Sequence, residues 1–331
     1  MTKQQNLLHD FLEEWKEGDG ITAHTSGSTG KPKKIVLPMA QVLRSAVRSN
    51  KFFGITRKSR LHAAMSFEFI GGKMMIARSL KAGCTLTFSE PSVQLPPPEG
   101  DMPVSLLSLV PAQMHHVVNN LEQFQNVEKY LIGGSAINDR LWDRIVSSGV
   151  DAWESYGMTE TATHIAMRRI SGPSSSRPRF VPLPGISIAT GLDGCMHITD
   201  GDVKVETTDL VKIHEDGSFE ILGRKDDVII SGGLKILPQE IETKIQPYIT
   251  HLTHSYYISS VPDEIWTSKL VLLAVPDSRG AESAEFESEL RKAIDSIPEE
   301  VLPKRMRPKS VRIIDALPLT AMGKLNRKAK I

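Results

Sequence analysis

The stretch Thr25-Ser26-Gly27-Ser28-Thr29-Gly30-Lys31-Pro32-Lys33 concentrates the residue types that hold an anion. Gly27 and Gly30 leave no Cβ in the way and admit positive φ, so backbone N–H groups can turn toward a bound charge. Ser28 and Thr29 add hydroxyl donors and Lys31 and Lys33 add charge, which suits a polyphosphate passing close to the main chain. A Walker A loop is excluded: Thr25 stands where its first glycine should be and Pro32 where its metal-binding hydroxyl should be. Taken alone, these small polar residues would read as a solvated turn with a basic tail.

Other stretches carry complementary chemistry. Tyr156-Gly157-Met158-Thr159-Glu160 comes directly after a strand-like segment, Asp151–Ser155, so its side chains should stand at the carboxyl edge of a sheet, where open α/β folds bind ligands. Tyr156 offers a flat face to a base, Thr159 a hydroxyl to a phosphate, and Glu160 a hard oxygen to Mg²⁺. Gly133-Gly134-Ser135 ends another strand, Tyr130–Ile132, and lets a second segment approach closely. Lys324, framed by Gly323 and Asn326, lies in a basic tail with Arg327, Lys328 and Lys330. An ammonium brought to a phosphate from there would neutralise charge that builds up in a transition state.

These residues need a scaffold, and composition bounds it. The chain has 331 residues, 40% hydrophobic and 24% charged, enough for two globular domains. Lys+Arg 40 against Asp+Glu 39 gives a formal net charge of +1, so neither nucleic acid nor an anionic membrane is expected as the main partner. Cys84 and Cys195 stand far apart without metal-ligand spacing. The N-terminus begins an amphipathic helix (Leu7, Leu8, Phe11, Leu12, Trp15) rather than a signal peptide, and no apolar run approaches the roughly 20 residues of a membrane span. A cytoplasmic protein is the expectation.

Helical spacing marks 39–53 and 70–80, and Pro111 should open a helix through Leu121. Strand-like runs lie at 35–37, 61–65, 84–88 and 104–110, and Asn138 should cap a helix after Ser135. This alternation argues for a largely parallel sheet covered on both faces. Ser171 to Pro184 should be a loop. Asp193-Gly194, Asp200-Gly201 and Asp216-Gly217 then punctuate a run of hairpins, a small antiparallel β subdomain. Lys225-Asp226-Asp227 precedes a new apolar start at Val228, which places a boundary between domains 1–225 and 226–331. The second reads as α+β, with helices at 238–245 and 285–297.

Five of these stretches, in this order, resemble the acyl-adenylate-forming (AMP-binding) enzymes: Thr25 to Lys33, Gly133-Gly-Ser-Ala136, Ser155-Tyr-Gly-Met-Thr-Glu-Thr161, Gly223-Arg-Lys-Asp-Asp-Val-Ile-Ile-Ser-Gly-Gly233 and Pro318-Leu-Thr-Ala-Met-Gly-Lys324. The resemblance implies an α/β large domain, a parallel sheet plus a small β subdomain, followed by a mobile α+β C-terminal domain. It implies adenine stacking on Tyr156 beside Gly157, with Gly133, Gly134 and Ser135 on the opposite side of the base. It further implies α-phosphate contact for Thr159, metal ligation by Glu160, ribose or phosphate contact for Asp209 and Arg224, and phosphate contacts for Thr25 to Lys31. Asp226 would be the hinge, Gly232 and Gly233 would lie along a pantetheine channel, and Lys324 would promote adenylation. ATP, Mg²⁺ and coenzyme A would be needed, with a small carboxylic acid as the remaining substrate.

Only Met1 to His24 precede the phosphate loop, where relatives carry a long additional region, so the large domain is expected to be trimmed at its N-terminus. Pocket walls would then come from elsewhere in the chain or from a second subunit, as in a homodimer. Gly-Met-Thr-Glu-Thr-Ala-Thr-His164 and Phe69-Ile-Gly-Gly-Lys-Met-Met75 look most like the compact o-succinylbenzoate–CoA ligases of menaquinone synthesis. On that likeness Lys73 or Arg78 would bind the carboxylate that is not activated, Phe67 or Phe69 the ring, and His164 would face the acyl pocket. Another aryl- or acyl-CoA synthetase, an adenylating enzyme that loads a carrier protein, and a non-catalytic nucleotide-binding module are the alternatives.

Overall fold

The structure, a computed structural model, describes residues 1–25, 33–277, 283–319, 325–327 and 329. They fall in two compact units. One comprises Met1–Ala189, His197–Val205 and His214–Phe219, the other Thr190–Met196, Glu206–Ile213 and Glu220–Ile331.

In the first unit, helix α1 (Lys3–Glu17) starts at a reciprocal cap: the Thr2 hydroxyl accepts from Gln5 N–H while the Gln5 side chain accepts from Thr2 N–H. Strands β1 (Gly20–Thr25) and β2 (Lys33–Pro38) pair antiparallel, closing with Thr25 opposite Lys33. Helix α2 (Met39–Phe53) comes next, over the span that its periodicity predicts.

A seven-stranded sheet is built from β3 (Arg60–Ala63), β4 (Thr85–Phe88), β5 (Leu106–Leu109), β6 (Tyr130–Ile132), β7 (Ala152–Met158), β8 (Thr163–Arg169) and β9 (Val181–Pro182), in the order β4-β3-β5-β6-β7-β8-β9. Pairings from β4 to β7 are parallel, and β8 and β9 add an antiparallel edge. The chain leaves β3 for β4 on one side and returns to β5 on the other. Open α/β sheets bind ligands outside the strands' carboxyl ends at such a reversal.

Side chains alternate across the sheet. Leu131 packs with Val42, Met74 and Met75 of α2 and α3 (Ile70–Ala82), whereas Tyr130 and Ile132 pack with Met114, Trp142 and Ile145 of α4 (Pro111–Val117) and α5 (Asp139–Ser148). The Asn138 side chain accepts from Leu141 N–H and caps α5 as expected.

Two expectations need adjustment. Helix α4 stops at Val117 instead of reaching Leu121, because the Asn119 and Asn120 amides donate to the carbonyls of His115 and His116 and end the ladder. The segment expected to be a loop after Ser171 contains β9, recruited by β8, itself not read as a strand.

The expected hairpins form a four-stranded sheet in chain order: β10 (Ile186–Thr190), β11 (Cys195–Asp200), β12 (Val203–Ile213) and β13 (Phe219–Arg224). Asp200, 1% exposed at the end of β11, receives both Nη atoms of Arg48 from α2 at 3.2 and 2.6 Å.

The second unit carries a hairpin, β14 (Ile229–Ser231) and β15 (Leu234–Ile236), then α6 (Pro238–Ile249), β16 (Ser255–Asp263), β17 (Thr267–Val275), α7 (Ser283–Asp295) and β18 (Ser310–Ile313). β17 pairs antiparallel with β16 and parallel with β18. Ile241, Ile245, Leu272 and Leu290 lie in its core. Among the described residues, no helix is long and apolar enough to cross a membrane.

Candidate active site

Strands β6 and β7 run parallel with Ile132 opposite Glu154, so the segments that leave their ends emerge side by side at the sheet's carboxyl edge. After β6 come Gly133, Gly134 and Ser135. A Cβ on Gly133 would lie 2.7 Å from the Ser155 Oγ, which itself donates to the Ile132 carbonyl at 3.1 Å. Gly134 has φ +94°, a conformation that side chains other than glycine's rarely adopt.

Strand β7 carries Tyr156 and Gly157 and turns at Thr159–Thr161 into β8. The turn is tight. A Cβ on Gly157 would meet the Thr163 carbonyl oxygen at 2.0 Å, and Ala162 and Thr163 have φ of +49° and +87°. Positive φ is strained for alanine and more so for a β-branched residue, and such strain collects at functional sites. Thr161 staples the turn: its Oγ1 accepts from Met158 N–H at 3.1 Å and lies 2.7 Å from the Thr163 carbonyl. Gln41 of α2 donates to the Glu160 carbonyl at 2.8 Å, and the Glu160 residue is exposed. Thr161 closes the motif that begins at Ser155, but its stapling role had no sequence signal, and Gln41 had none at all, since each acts through a backbone contact that only the folded turn creates.

Tyr156 is half-buried against two aromatic rings, Phe180 at 6.0 Å and Phe219 at 5.7 Å between centroids. Phe180 and Phe219 stack on each other at 5.7 Å and 23°.

The residues considered for an acyl pocket are placed less openly. Phe67 is fully buried and packs edge-on against Phe88, while Phe69 is half-buried before α3. Lys73 is neither an exposed helix charge nor free: its Nζ donates to the Thr22 carbonyl at 2.8 Å and lies 3.9 Å from a Glu14 carboxylate oxygen. Burial lowers its pKa despite the nearby Glu14 and Asp10. Arg78 and His164 are brought together in the interior. An Arg78 Nη lies 3.4 Å from His164 Nδ1 and donates to Thr163 Oγ1 at 3.2 Å. Burial pulls the Arg78 pKa down to about 9. Burial, reinforced by Arg78 and Arg48, holds His164 well below its ordinary value, so its ring is neutral at pH 7.

In the second unit, Arg224 gathers the expected acids. Its Nη2 donates to Thr208 Oγ1 at 2.6 Å, its Nε lies 3.6 Å from Asp209, and Asp226 is 3.7 Å away. Gly232 and Gly233, with φ of +55° and +78°, form the turn between β14 and β15. The Trp266 ring covers Gly232, where a Cβ would be 2.6 Å from it. Arg327, three positions beyond Lys324, forks onto Glu242 of α6 at 2.6 and 2.7 Å. Ser26 to Lys31 and Lys324 lie outside the described residues, and for Thr25 only the backbone is described.

Among the described residues, no cluster of three or more His, Cys, Asp or Glu could hold a metal. Glu160, exposed on the turn after β7, is a carboxylate of the kind that Mg²⁺ takes beside water and substrate phosphates.

The AMP-binding enzyme profile matches residues 21–190, and the AMP-binding enzyme C-terminal domain profile matches 256–324. A 2-succinylbenzoate–CoA ligase of Listeria monocytogenes serotype 4b (strain F2365) is 29% identical over 345 residues, covering 96% of this chain and 71% of that protein. An acyl-CoA synthetase (AMP-forming)/AMP-acid ligase II-like protein from Dyadobacter fermentans DSM 18053 superposes with a TM-score of 0.63 at 29% identity, covering 99% of this chain and 93% of that one. The o-succinylbenzoate CoA synthetase of Bacillus subtilis, in complex with its acyl-adenylate intermediate, gives a TM-score of 0.72 at 23% identity, covering 93% of this chain and 68% of that one.

Proposed function

The chain belongs to the AMP-binding enzyme family, and from that premise we propose that it is an ATP- and Mg²⁺-dependent acid–CoA ligase, with o-succinylbenzoate as the acid. The observation that carries the reading is the emergence of Gly133–Ser135 and Tyr156–Glu160 side by side from adjacent parallel strands. Those stretches supply a close-approach backbone, an aromatic face, a hydroxyl and a carboxylate at one sheet edge. The ligase relatives, including the one from Listeria, support the choice of acid.

In this reading the substrate carboxylate attacks the α-phosphorus of ATP, the bond to the β-phosphate oxygen breaks, and pyrophosphate leaves. The CoA thiol, losing its proton, then displaces AMP from the acyl carbon to give the thioester. Tyr156 and the backbone of 133–135 hold adenine between them, and Thr159 donates to the α-phosphate. Ser28, Thr29 and Lys31, with neighbouring Thr25 to Gly30, hold the β- and γ-phosphates. Asp209 and Arg224 serve the ribose. Mg²⁺ on Glu160 would offset phosphate charge. Lys324 neutralises the transition state of adenylation, and Asp226 pivots the 226–331 domain between the two half-reactions so that Gly232 and Gly233 serve the thiol arm.

Phe69 is the best-placed candidate for ring contact, being half-buried rather than sealed in the core. Lys73 and Arg78 already have internal partners, so we assign them to support of the pocket rather than direct capture of a carboxylate.

Acid-dependent exchange of labelled pyrophosphate into ATP, run across aromatic, fatty and dicarboxylic acids, tests the reading. Exchange with o-succinylbenzoate, followed by CoA-dependent release of AMP, is expected. No exchange with any acid would refute a ligase, and exchange without CoA-dependent AMP release would favour loading of a carrier protein.

A further inference from the structure

Glu154 is 4% exposed in β7, two residues before Tyr156, and nothing in the reaction requires a carboxylate there. Its two oxygens go in different directions. Oε1 accepts from Ile137 N–H at 3.3 Å, at the end of the loop that begins with Gly133. Oε2 accepts from Nη2 and Nε of Arg168 in β8, at 2.6 and 2.7 Å.

Each direction leads to one side of the base slot. The Arg168 guanidinium carbon lies over the Phe180 ring, 4.3 Å from its centroid, and Phe180 is one of the two rings that Tyr156 rests on. On the other side, the Ile137 carbonyl accepts from Arg177 at 2.7 Å, so both polar groups of that peptide position are held. Arg168 and Arg177 both lie over the Trp142 ring, at 5.1 and 4.5 Å from its centroid. The carboxylate, two guanidinium groups and three aromatic rings therefore form one connected cluster beneath the sheet's carboxyl edge.

We propose that Glu154 is a positioning residue that sets the spacing of the base slot, fixing the Gly133–Ile137 loop with one oxygen and, through Arg168 and Phe180, the Tyr156 ring with the other. This rests on the assignment of Tyr156 and Gly133–Ser135 to adenine. A slot of fixed width between Tyr156 and the loop backbone favours the larger stacking face of a purine over that of a pyrimidine. Because Glu154 acts on the base alone, its loss should be felt in nucleotide affinity and base choice, not in recognition of the acid.

The test is calorimetric titration of the full chain with Mg-ATP and with Mg-CTP, together with KM for o-succinylbenzoate in pyrophosphate exchange. Glu154→Ala should weaken ATP binding by roughly 10-fold, the weight of one base–aromatic stack, and narrow the preference for ATP over CTP. KM for the acid should stay within about twofold. Glu154→Gln keeps an acceptor for Ile137 or for Arg168 but turns an amide N–H₂ on the other, so its affinity should fall between those of wild type and Glu154→Ala. Phe180→Leu leaves the Glu154–Arg168 pair intact and removes the relay, so it should reproduce the ATP defect even if Glu154→Ala does not fold. Wild-type affinity and base preference in folded Glu154→Ala, or in Phe180→Leu, would overturn the proposal. Failure of the wild-type protein to bind ATP would instead overturn the nucleotide assignment on which it rests.

Discussion

The main chain at Gly157 passes so close to Thr163 that a Cβ at position 157 would sit 2.0 Å from the Thr163 carbonyl oxygen. That contact accompanies the register shift in the β7–β8 pairing at Tyr156 and Gly157, and it turns Thr159 and Glu160 out at the sheet edge.

Gly157→Ala should therefore separate β7 from β8 at the turn. The obstacle is backbone, which cannot swing aside as a flexible side chain would. We expect a loss of about 2–4 kcal/mol in urea unfolding, the range for overpacking combined with backbone strain. Pyrophosphate exchange should fall by at least the order of 10-fold, because the residues assigned to phosphate and metal lie on that turn. An alanine variant with wild-type stability and activity would mean that the turn relaxes freely.

Lys73 joins α3 to β1 through the Thr22 carbonyl and lies near Glu14 of α1. Replacing it with methionine leaves those acceptors without the ammonium, at a cost of about 1–3 kcal/mol. Lys73→Met should lower the melting temperature and change KM equally for mono- and dicarboxylic acids. A selective rise in KM for dicarboxylic acids at unchanged melting temperature would return Lys73 to substrate binding.

His62 sits in β3 with Nδ1 2.9 Å from Thr87 Oγ1, and burial, with Arg60 nearby, depresses its pKa from 6.5 to about 4. His164 is depressed well below 6.5 as well. Above pH 6.5 both rings are neutral whether the chain is folded or not. Below that, the unfolded chain takes up protons that the folded one refuses, so stability falls as pH drops from 6.5 toward 4. Each group contributes up to about 1.4 kcal/mol per pH unit across that window. Urea midpoints at pH 7.5 and 5.0 should show the fall, and His62→Gln should remove part of it. An identical pH dependence in wild type and variant would exclude His62 as a source.

Arg327 holds the chain to α6 through Glu242, three residues beyond the tail lysine. Arg327→Ala should lower the rate of adenylation by on the order of 10- to 10²-fold through misplacement of Lys324, while KM for ATP changes little. Equal losses in kcat and ATP affinity would point to general loosening of the C-terminal unit instead.

Much of this protein is written in short-range signals. The apolar spacing of α2, the Asn138 cap of α5, the Asp-Gly reversals between β10 and β13, and the position of Tyr156–Glu160 after a strand all arise from residues within a few positions of one another. Each is a local preference that needs no partner from afar. The order of five motifs made the family legible for the same reason, since each motif is a contiguous stretch.

Other features depended on the tertiary structure because their determinants lie far apart. β8 lacks an alternating pattern, with a run of four buried residues at its centre, and became a strand only by pairing with β7. The fates of Lys73 and Arg78 could not be read from α3, since a cation at a helical position is a surface charge or a buried tie according to what packs over it. Thr22 stands 51 residues from Lys73, and Thr163 stands 85 from Arg78. Glu154 likewise looked like an ordinary strand residue until Arg168 and Ile137 arrived on either side. Sequence determined which chemical groups are available and roughly where the chain turns. Folding decided which of those groups spend their hydrogen bonds holding the protein together and which remain turned toward a ligand, because that depends on desolvation and on partners supplied by distant segments.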